Sequence, residues 1–522
     1  MALLIGIDVG TTNLKAVLYD ARRGETVAVA TRPTPERHPR PDWSEFDADE
    51  VWGGVVACVR EIMRAVPEPR RIAGVAVASM GEAGVALDAA GVPLYPFIAW
   101  YDPRGEEYVP HWRRTLGEPR VYELTGQPLG GVYGINHLMW LAEHRPDVIA
   151  AAAHWLSVED YILWRLSGAF ATDYTIAART MAFEPARRSW SPEMLVAAGV
   201  SPDLFPTPYP SGTRVGGVTA GAADATGLPP GTAIVTGGHD HLCGALTVGA
   251  VEPGALLDST GTVQAVVAVT PEIVLHPTLA RAGYASYGHV VPGMSVVIGG
   301  LTSGGKMVEW FVDTFYDLPA DERYERALAE AGAAPAAGGV YWLPHLLGSG
   351  FPNNDPLSRA ACVGLGASHT RGAVLRGLVE SLGYAMREGI EAIVAANVPE
   401  VHHIVAIGGG SRSPVLMRIK ADVTGRTVHV PEVTEAVAVG AALLAGLGAG
   451  VFTDVAHARA SLRVRARRYA PDAATRDRYD QGYARVFGQL HTALGDVNQA
   501  VAEVGREHVP PAPLARTDGG GT

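Results

Sequence analysis

The chain has 522 residues, of which 48% are hydrophobic and 18% charged, the make-up of an ordinary globular core. That length suits roughly two or three domains, and a net charge of −12 counts against a nucleic-acid binder, which needs a basic face. Three widely spaced cysteines, Cys58, Cys243 and Cys362, give neither a disulfide framework nor a zinc motif and fit a reducing, cytoplasmic compartment.

The N-terminus lacks a basic stretch, and Asp8 interrupts its apolar run, so it does not read as a signal peptide. Leu3 to Val9 predicts a strand running into Gly10-Thr11-Thr12, followed by a hairpin of residues 16–19 and 26–29. A Pro-rich loop then leads to a helix beginning near Asp47, and a strand over 72–78 ends at Ser79-Met80-Gly81-Glu82. Residues 104–200 read as mostly helical, with Trp140, Trp155, Tyr161 and Trp164 as core at helical spacing. A strand from Thr232 ends in Gly237-Gly238 before a helix from about Asp240. Further on, an apolar strand meets Asp258-Ser259-Thr260-Gly261-Thr262, then another extended run over 263–269. A strand over 401–407, the turn Gly408-Gly409-Gly410 and a helix repeat the earlier strand, glycine turn and helix. The uncharged run from Ala436 to Thr453 is rich in Ala and Gly, which predicts a buried packing helix and its loop rather than a membrane span. The Pro- and Gly-rich tail 509–522 is expected to be disordered.

Two turns of Asp, Gly and Thr at strand ends imply a duplicated fold, its first half ending near residue 250. Such turns direct N–H groups and hydroxyls at phosphate oxygens, so the pair would grip a polyphosphate from both sides. Asp8 could hold Mg²⁺ while Thr11 and Thr12 contact phosphate; the alternative is an ordinary turn in which Asp caps the backbone. Gly408 to Gly410 admits either close approach of a flat or anionic ligand or a tight turn alone. In His239-Asp240-His241, a metal site is disfavoured because side chains two apart on a helix do not face each other. Asp240 remains either a helix cap or a general base that takes a proton from an attacking hydroxyl. Gly300 to Lys306 matches most of a P-loop, but Met307 stands where Ser or Thr must reach Mg²⁺. That stretch is therefore expected to line a nucleotide pocket through its backbone, with Lys306 on a helix behind it.

These residues closely resemble the FGGY family of carbohydrate kinases, in the actin-like ATPase superfamily, over nearly all of residues 1–490. The match is densest from Gly408-Gly409-Gly410-Ser411-Arg412-Ser413-Pro414 through Lys420-Ala421-Asp422-Val423-Thr424-Gly425 to Pro431, Glu435 and Gly440-Ala441-Ala442. In the middle signature, Asn136 to Leu141, His137 stands where the family usually has Lys. The resemblance implies an α/β fold of two ribonuclease H-like domains with a cleft between them. Residues 1–250 would bind a small sugar or polyol and residues 251–508 would bind ATP. Neither nucleic acid nor membrane is an expected partner, and a homodimer is left open.

Carried over by position, Asp8 matches the Mg²⁺-associated Asp and Asp240 the catalytic base, with Asp8 and Asp240 together the expected metal residues. Thr11 and Thr12, with Asn13 and Lys15, match the first phosphate loop. Thr260, Gly261 and Thr262 match the second, and Gly305 lies along the same pocket. Gly409 and Gly410, with Ser413, match the adenosine-contacting turn. Ser79-Met80-Gly81-Glu82 aligns with the acceptor loop, where glycerol kinases show Arg-Glu and xylulokinases Gln-Met-His. Here Gly81 replaces that Arg, while Glu82 keeps a hydroxyl-binding carboxylate. Trp100-Tyr101-Asp102-Pro103-Arg104 resembles a family stretch whose indole packs on C–H groups and whose Asp accepts sugar hydroxyls. Met80, Glu82, Trp100, Asp102, His239, Asp240 and His241 are thus the expected acceptor set. The implied reaction is phosphorylation of a ketopentose such as xylulose; fuculose, ribulose, erythritol or glycerol are the alternatives. The rival from another class is a nucleotide-switched, actin- or chaperone-like binding protein.

Overall fold

Two mixed sheets, one in each half of the chain, share strand order and polarity in the computed structural model. The structure describes residues 2–508 apart from 262, 302–303 and 337; Thr262 and the tail 509–522 lie outside the described residues. The first sheet contains β1 (Leu3–Val9), β2 (Asn13–Asp20), β3 (Glu25–Pro33), β4 (Ile72–Ser79) and β5 (Ala233–His239), in the order β3-β2-β1-β4-β5. β2 runs antiparallel to β1 and β3, whereas β4 is parallel to β1 and β5 to β4. The second contains β6 (Ala255–Thr260), β7 (Gln264–Thr270), β8 (Ser295–Leu301), β9 (His403–Ile407) and β10 (Thr427–Pro431), in the order β8-β7-β6-β9-β10 with the same polarities. An antiparallel edge strand sits outside each fifth strand, Arg214–Gly217 on β5 and Ala466–Tyr469 on β10. This is the expected ribonuclease H-like duplication. The central strands are buried almost throughout, which explains why β1 and β4 are continuous apolar runs rather than alternating ones.

The topology corrects one equivalence expected from the sequence. β9, which ends in Gly408 to Gly410, lies beside β6, so its counterpart is β4, ending at Ser79-Met80-Gly81-Glu82. The strand ending in Gly237-Gly238 is β5, the counterpart of β10. Glycines at a strand end report a local need for an unusual backbone, here φ 156 at Gly238 and φ 88 at Gly408, and carry no information about sheet position.

Helix α1 (Asp240–Val248) follows β5, α2 (Pro414–Thr424) follows β9, and α3 (Ala436–Gly448) follows β10. α3 crosses from the second half to pack on α1 and on the first sheet. The approach is backbone to backbone: a Cβ on Gly6 would lie 1.7 Å from the Ala438 carbonyl, and one on Gly440 would lie 2.0 Å from that of Cys243. The uncharged run is thus a buried packing helix, and among the described residues no helix is long and apolar enough to cross a membrane. Asp47 caps the helix Ala48–Met63, as expected. The stretch 104–200 is mostly short helices, although Trp155 lies on the strand His154–Ser157. Trp140, Trp155 and Tyr161 are buried there, and Trp164 is partly so.

Candidate active site

Asp8 ends one residue short of the β1–β4 register, where β1, β4 and the start of α1 converge. Burial, and then the nearness of Asp240, push its carboxyl up to about 8, with Lys15 opposing and Glu435 adding to the rise. Lys15 Nζ lies 2.6 Å from Glu435, which sits in the left-handed region (φ 57) at the start of α3. Asp240 opens α1 with its side chain partly exposed. Partly exposed carboxylates gathered near one lysine make a hard, oxygen-donor environment, and a Mg²⁺ ion fits it.

His239, Asp240 and His241 place their ligand atoms within 4.8 Å of one another. The helical-spacing argument against their convergence does not hold, because His239 is the last strand residue and only Asp240 opens the helix. The turn between them folds the two rings to 5.3 Å, edge to face. His239 Nδ1 lies 3.0 Å from the Tyr287 hydroxyl and its Nε2 lies 3.4 Å from Asp240. Burial pushes the His239 imidazole down to about 3, so it stays neutral.

Glu82 is buried at φ 64 and accepts two bonds from Arg179, one of 2.7 Å from Nε and one from Nη2. Burial raises the Glu82 carboxyl and Arg179 opposes the rise. Arg179 Nη1 donates to Gln127 at 2.9 Å, and the guanidinium lies 5.5 and 5.7 Å from the ring centroids of Tyr133 and Tyr287. A Cβ on Gly81 would meet Arg179 Cγ at 3.0 Å. An arginine therefore stands over the glycine after all, supplied by the end of the short helix Tyr174–Ala178. Buried Met80 contacts Thr11, Sδ to Oγ1, at 4.0 Å, and the Trp100 indole donates to Thr11 Oγ1 at 3.3 Å.

Asp102 is corrected. Its oxygens accept from Ser44 N (2.7 Å), Arg104 N (3.0 Å), Arg104 Nε (2.8 Å) and Arg104 Nη2 (2.9 Å), so the carboxylate anchors a loop and has no capacity left for a sugar. His137 is wholly buried, both ring nitrogens lack a partner among the described residues, and burial pushes it down to about 4.

The second half carries a cavity of about 560 Å³ whose lining includes Thr260, Gly261, Gly305, Gly409, Gly410 and Lys420. A Cβ on Gly410 would lie 2.5 Å from Thr260 Cγ2, so the glycine turn packs directly on the turn after β6. Gly10 N–H bonds to Asn13 O at 3.0 Å in one turn and Gly261 N–H to Val263 O at 3.1 Å in the other. Thr11, Asn13 and Lys15 are partly exposed at the first turn and Thr12 is exposed. Ser413 does not line the cavity: its hydroxyl caps α2, accepting from Leu416 N at 3.4 Å. Lys306 pairs with Glu309 on its own helix at 3.0 Å, unlike a P-loop lysine. Lys420 is buried, pairs with Asp258 and donates to Thr260 Oγ1 at 2.9 Å.

Sequence reasoning assigned no role to Arg179, Gln127, Tyr133, Tyr287 or Lys420. The only signal for Arg179 is one charge inside the apolar run Ala177-Ala178-Arg179-Thr180-Met181.

The model of the FGGY family of carbohydrate kinases, N-terminal domain, matches residues 3–247, and that of the C-terminal domain matches residues 256–449. The glycerol kinase of Citrifermentans bemidjiense is 31% identical over 465 residues, 86% of this chain and 91% of that protein. A solved xylulose kinase from Rhodospirillum rubrum superposes with a TM-score of 0.88 at 29% identity, over 95% of this chain and 100% of that one. A gluconate kinase from Lactobacillus acidophilus shares the fold, with a TM-score of 0.89 at 22% identity over 96% of this chain and 99% of that one. Two sheets of one topology, an acid cluster at the mouth of the first and a glycine-lined cavity on the second all agree with these matches. The chain belongs to the FGGY family of carbohydrate kinases and is a phosphotransferase.

Proposed function

We propose that the enzyme transfers the γ-phosphoryl of ATP to a hydroxyl of a small sugar or polyol, with a ketopentose such as xylulose as the leading acceptor. One relationship supports this reading: Asp240 opens α1 at the end of β5, near enough to both Asp8 and Glu82 for its charge to act on each carboxyl. Asp240 takes the proton of the attacking hydroxyl. Its place at the start of α1 fixes the carboxylate at the end of β5. Asp8, with Asp240, would hold Mg²⁺, which when bound neutralises phosphate charge. Thr11 and Thr12 on one side and Thr260 and Gly261 on the other hold the phosphates in line. Gly409 and Gly410 allow close approach of the adenosine. Glu82 receives an acceptor hydroxyl, and Trp100, tied to Thr11, couples the acceptor wall to the phosphate turn. Water is the competing acceptor, so closure of the two halves over sugar and nucleotide suppresses idle hydrolysis.

The test is a panel of xylulose, ribulose, fuculose, erythritol and glycerol with ATP, scored for acceptor-dependent ADP release. Release with a ketopentose above the others supports the proposal. Nucleotide binding with no acceptor-dependent release by any compound favours a nucleotide-switched binding protein instead.

A further inference from the structure

The guanidinium over Gly81 gives the acceptor pocket a charge pattern that the acceptor loop alone does not reveal. An arginine has five N–H donors. In Arg179, Nε and one Nη2 hydrogen go to Glu82 Oε1, and one Nη1 hydrogen goes to Gln127. One N–H on each of Nη1 and Nη2, and Glu82 Oε2, have no partner among the described residues. Two free donors and one free carboxylate oxygen therefore belong to a single ion pair, whose guanidinium lies 5.5 and 5.7 Å from the Tyr133 and Tyr287 ring centroids and whose carboxylate is within the field of Asp240. A pair of adjacent hydroxyls matches that set: one oxygen accepts from the guanidinium while the other hydroxyl donates to Glu82. An acid sugar does not match it. Its carboxylate would join Glu82 and Asp240 as a third negative charge around a cation already neutralised by Glu82.

We propose that Arg179, held by Glu82 over Gly81, is the specificity-determining residue of this kinase and restricts it to uncharged acceptors bearing adjacent hydroxyls. This rests on the kinase reading above and deepens it. Arg179 comes from a segment remote from the acceptor loop, so the glycine at position 81 does not mean that the pocket lacks an arginine.

The experiment compares the best neutral acceptor of the panel with gluconate, in the wild type and in Arg179→Met, Arg179→Lys and Glu82→Gln, measuring kcat and KM separately. The wild type should prefer the neutral acceptor over gluconate by roughly a hundredfold or more in kcat/KM. Arg179→Met should raise the neutral-acceptor KM by about tenfold or more, with nucleotide Kd little changed, and Arg179→Lys should recover part of the loss. Glu82→Gln leaves the guanidinium unneutralised and should shrink the preference against gluconate by about tenfold. Loss of packing alone would not move that ratio, and the Glu82 variant tests the claim even if Arg179→Met fails to fold. A wild type that uses gluconate as well as the neutral acceptor overturns the proposal. So does a Glu82→Gln preference equal to the wild type's, or an unchanged KM in Arg179→Met. In each of those cases acceptor-dependent ADP release persists, so the kinase reading survives. No release from any acceptor in the wild type removes both.

Discussion

The buried ammonium of Lys420 pairs with the carboxylate of Asp258 at the end of β6. Asp258 is the counterpart of Asp8: each faces an alanine, Ala406 or Ala78, one residue before its parallel register ends. The duplicated acid has thus diverged. Asp258 carries its own cation, supplied by α2, and also accepts from Thr260 at 2.9 Å and Gln264 at 2.8 Å. Asp8 has the carboxylates of Asp240 and Glu435 for neighbours, with Lys15 opposing them. One turn is locked from within, and the other is left acidic, the difference on which the proposed Mg²⁺ site rests.

Lys420→Met leaves a buried carboxylate unpaired, which should cost about 3–5 kcal/mol in urea unfolding and weaken nucleotide binding through Thr260. Adding Asp258→Asn should restore most of the stability, because the uncompensated charge is gone. A single variant as stable as the wild type would show that the pair is not neutralising a buried charge.

Gly440→Ala drives a methyl into the Cys243 carbonyl, where neither backbone can give way without separating α1 from α3. The expected loss is roughly 3 kcal/mol or more in thermal or urea unfolding. Gly221, on the helix Ala220–Thr226, has nothing within 4 Å of its would-be Cβ. Gly221→Ala should leave stability unchanged or improve it by up to about 1 kcal/mol. Equal effects at the two positions would contradict the packing described.

His137 sets part of the acid sensitivity. Its folded pKa is lowered from the ordinary value to about 4, so between about 6.5 and 4 the unfolded chain holds the proton and the folded one does not. Stability contributed by the neutral ring is therefore present above about 6.5 and lost as pH falls through that window. Because neither nitrogen has a hydrogen-bond partner among the described residues, His137→Leu should be more stable than the wild type at pH 5 and show a flatter acid slope. Urea midpoints across pH 4–8 decide it, and parallel pH profiles for the two proteins would refute it.

Lys306→Ala should leave the KM for ATP within about twofold, since that lysine pairs with Glu309 on the surface of its helix. A large rise would revive the P-loop reading of residues 300–306.

The parts legible in the sequence were those set by short-range chemistry. The Asp-Gly-Thr turns, the glycine turn at Gly408 to Gly410 and the packing run after Ala436 all declare themselves through backbone demands. Sheet position was not legible, which is why Gly237-Gly238 was matched to the wrong strand end. Asp102 misled because a carboxylate beside an indole looks the same whether it faces a ligand or Arg104 two residues on. Arg179 stayed hidden because its partner, Glu82, is far away in sequence and only the fold brings them together. His239 and His241 converge with Asp240 because the strand ends between them, a boundary that helical spacing alone does not show.

The central claim is that Asp240 deprotonates the acceptor hydroxyl, and steady-state turnover of Asp240→Asn with the best acceptor tests it most directly. kcat should fall by about 10²–10⁴-fold while the nucleotide Kd stays close to that of the wild type. Turnover near the wild-type value would mean that another group takes the proton.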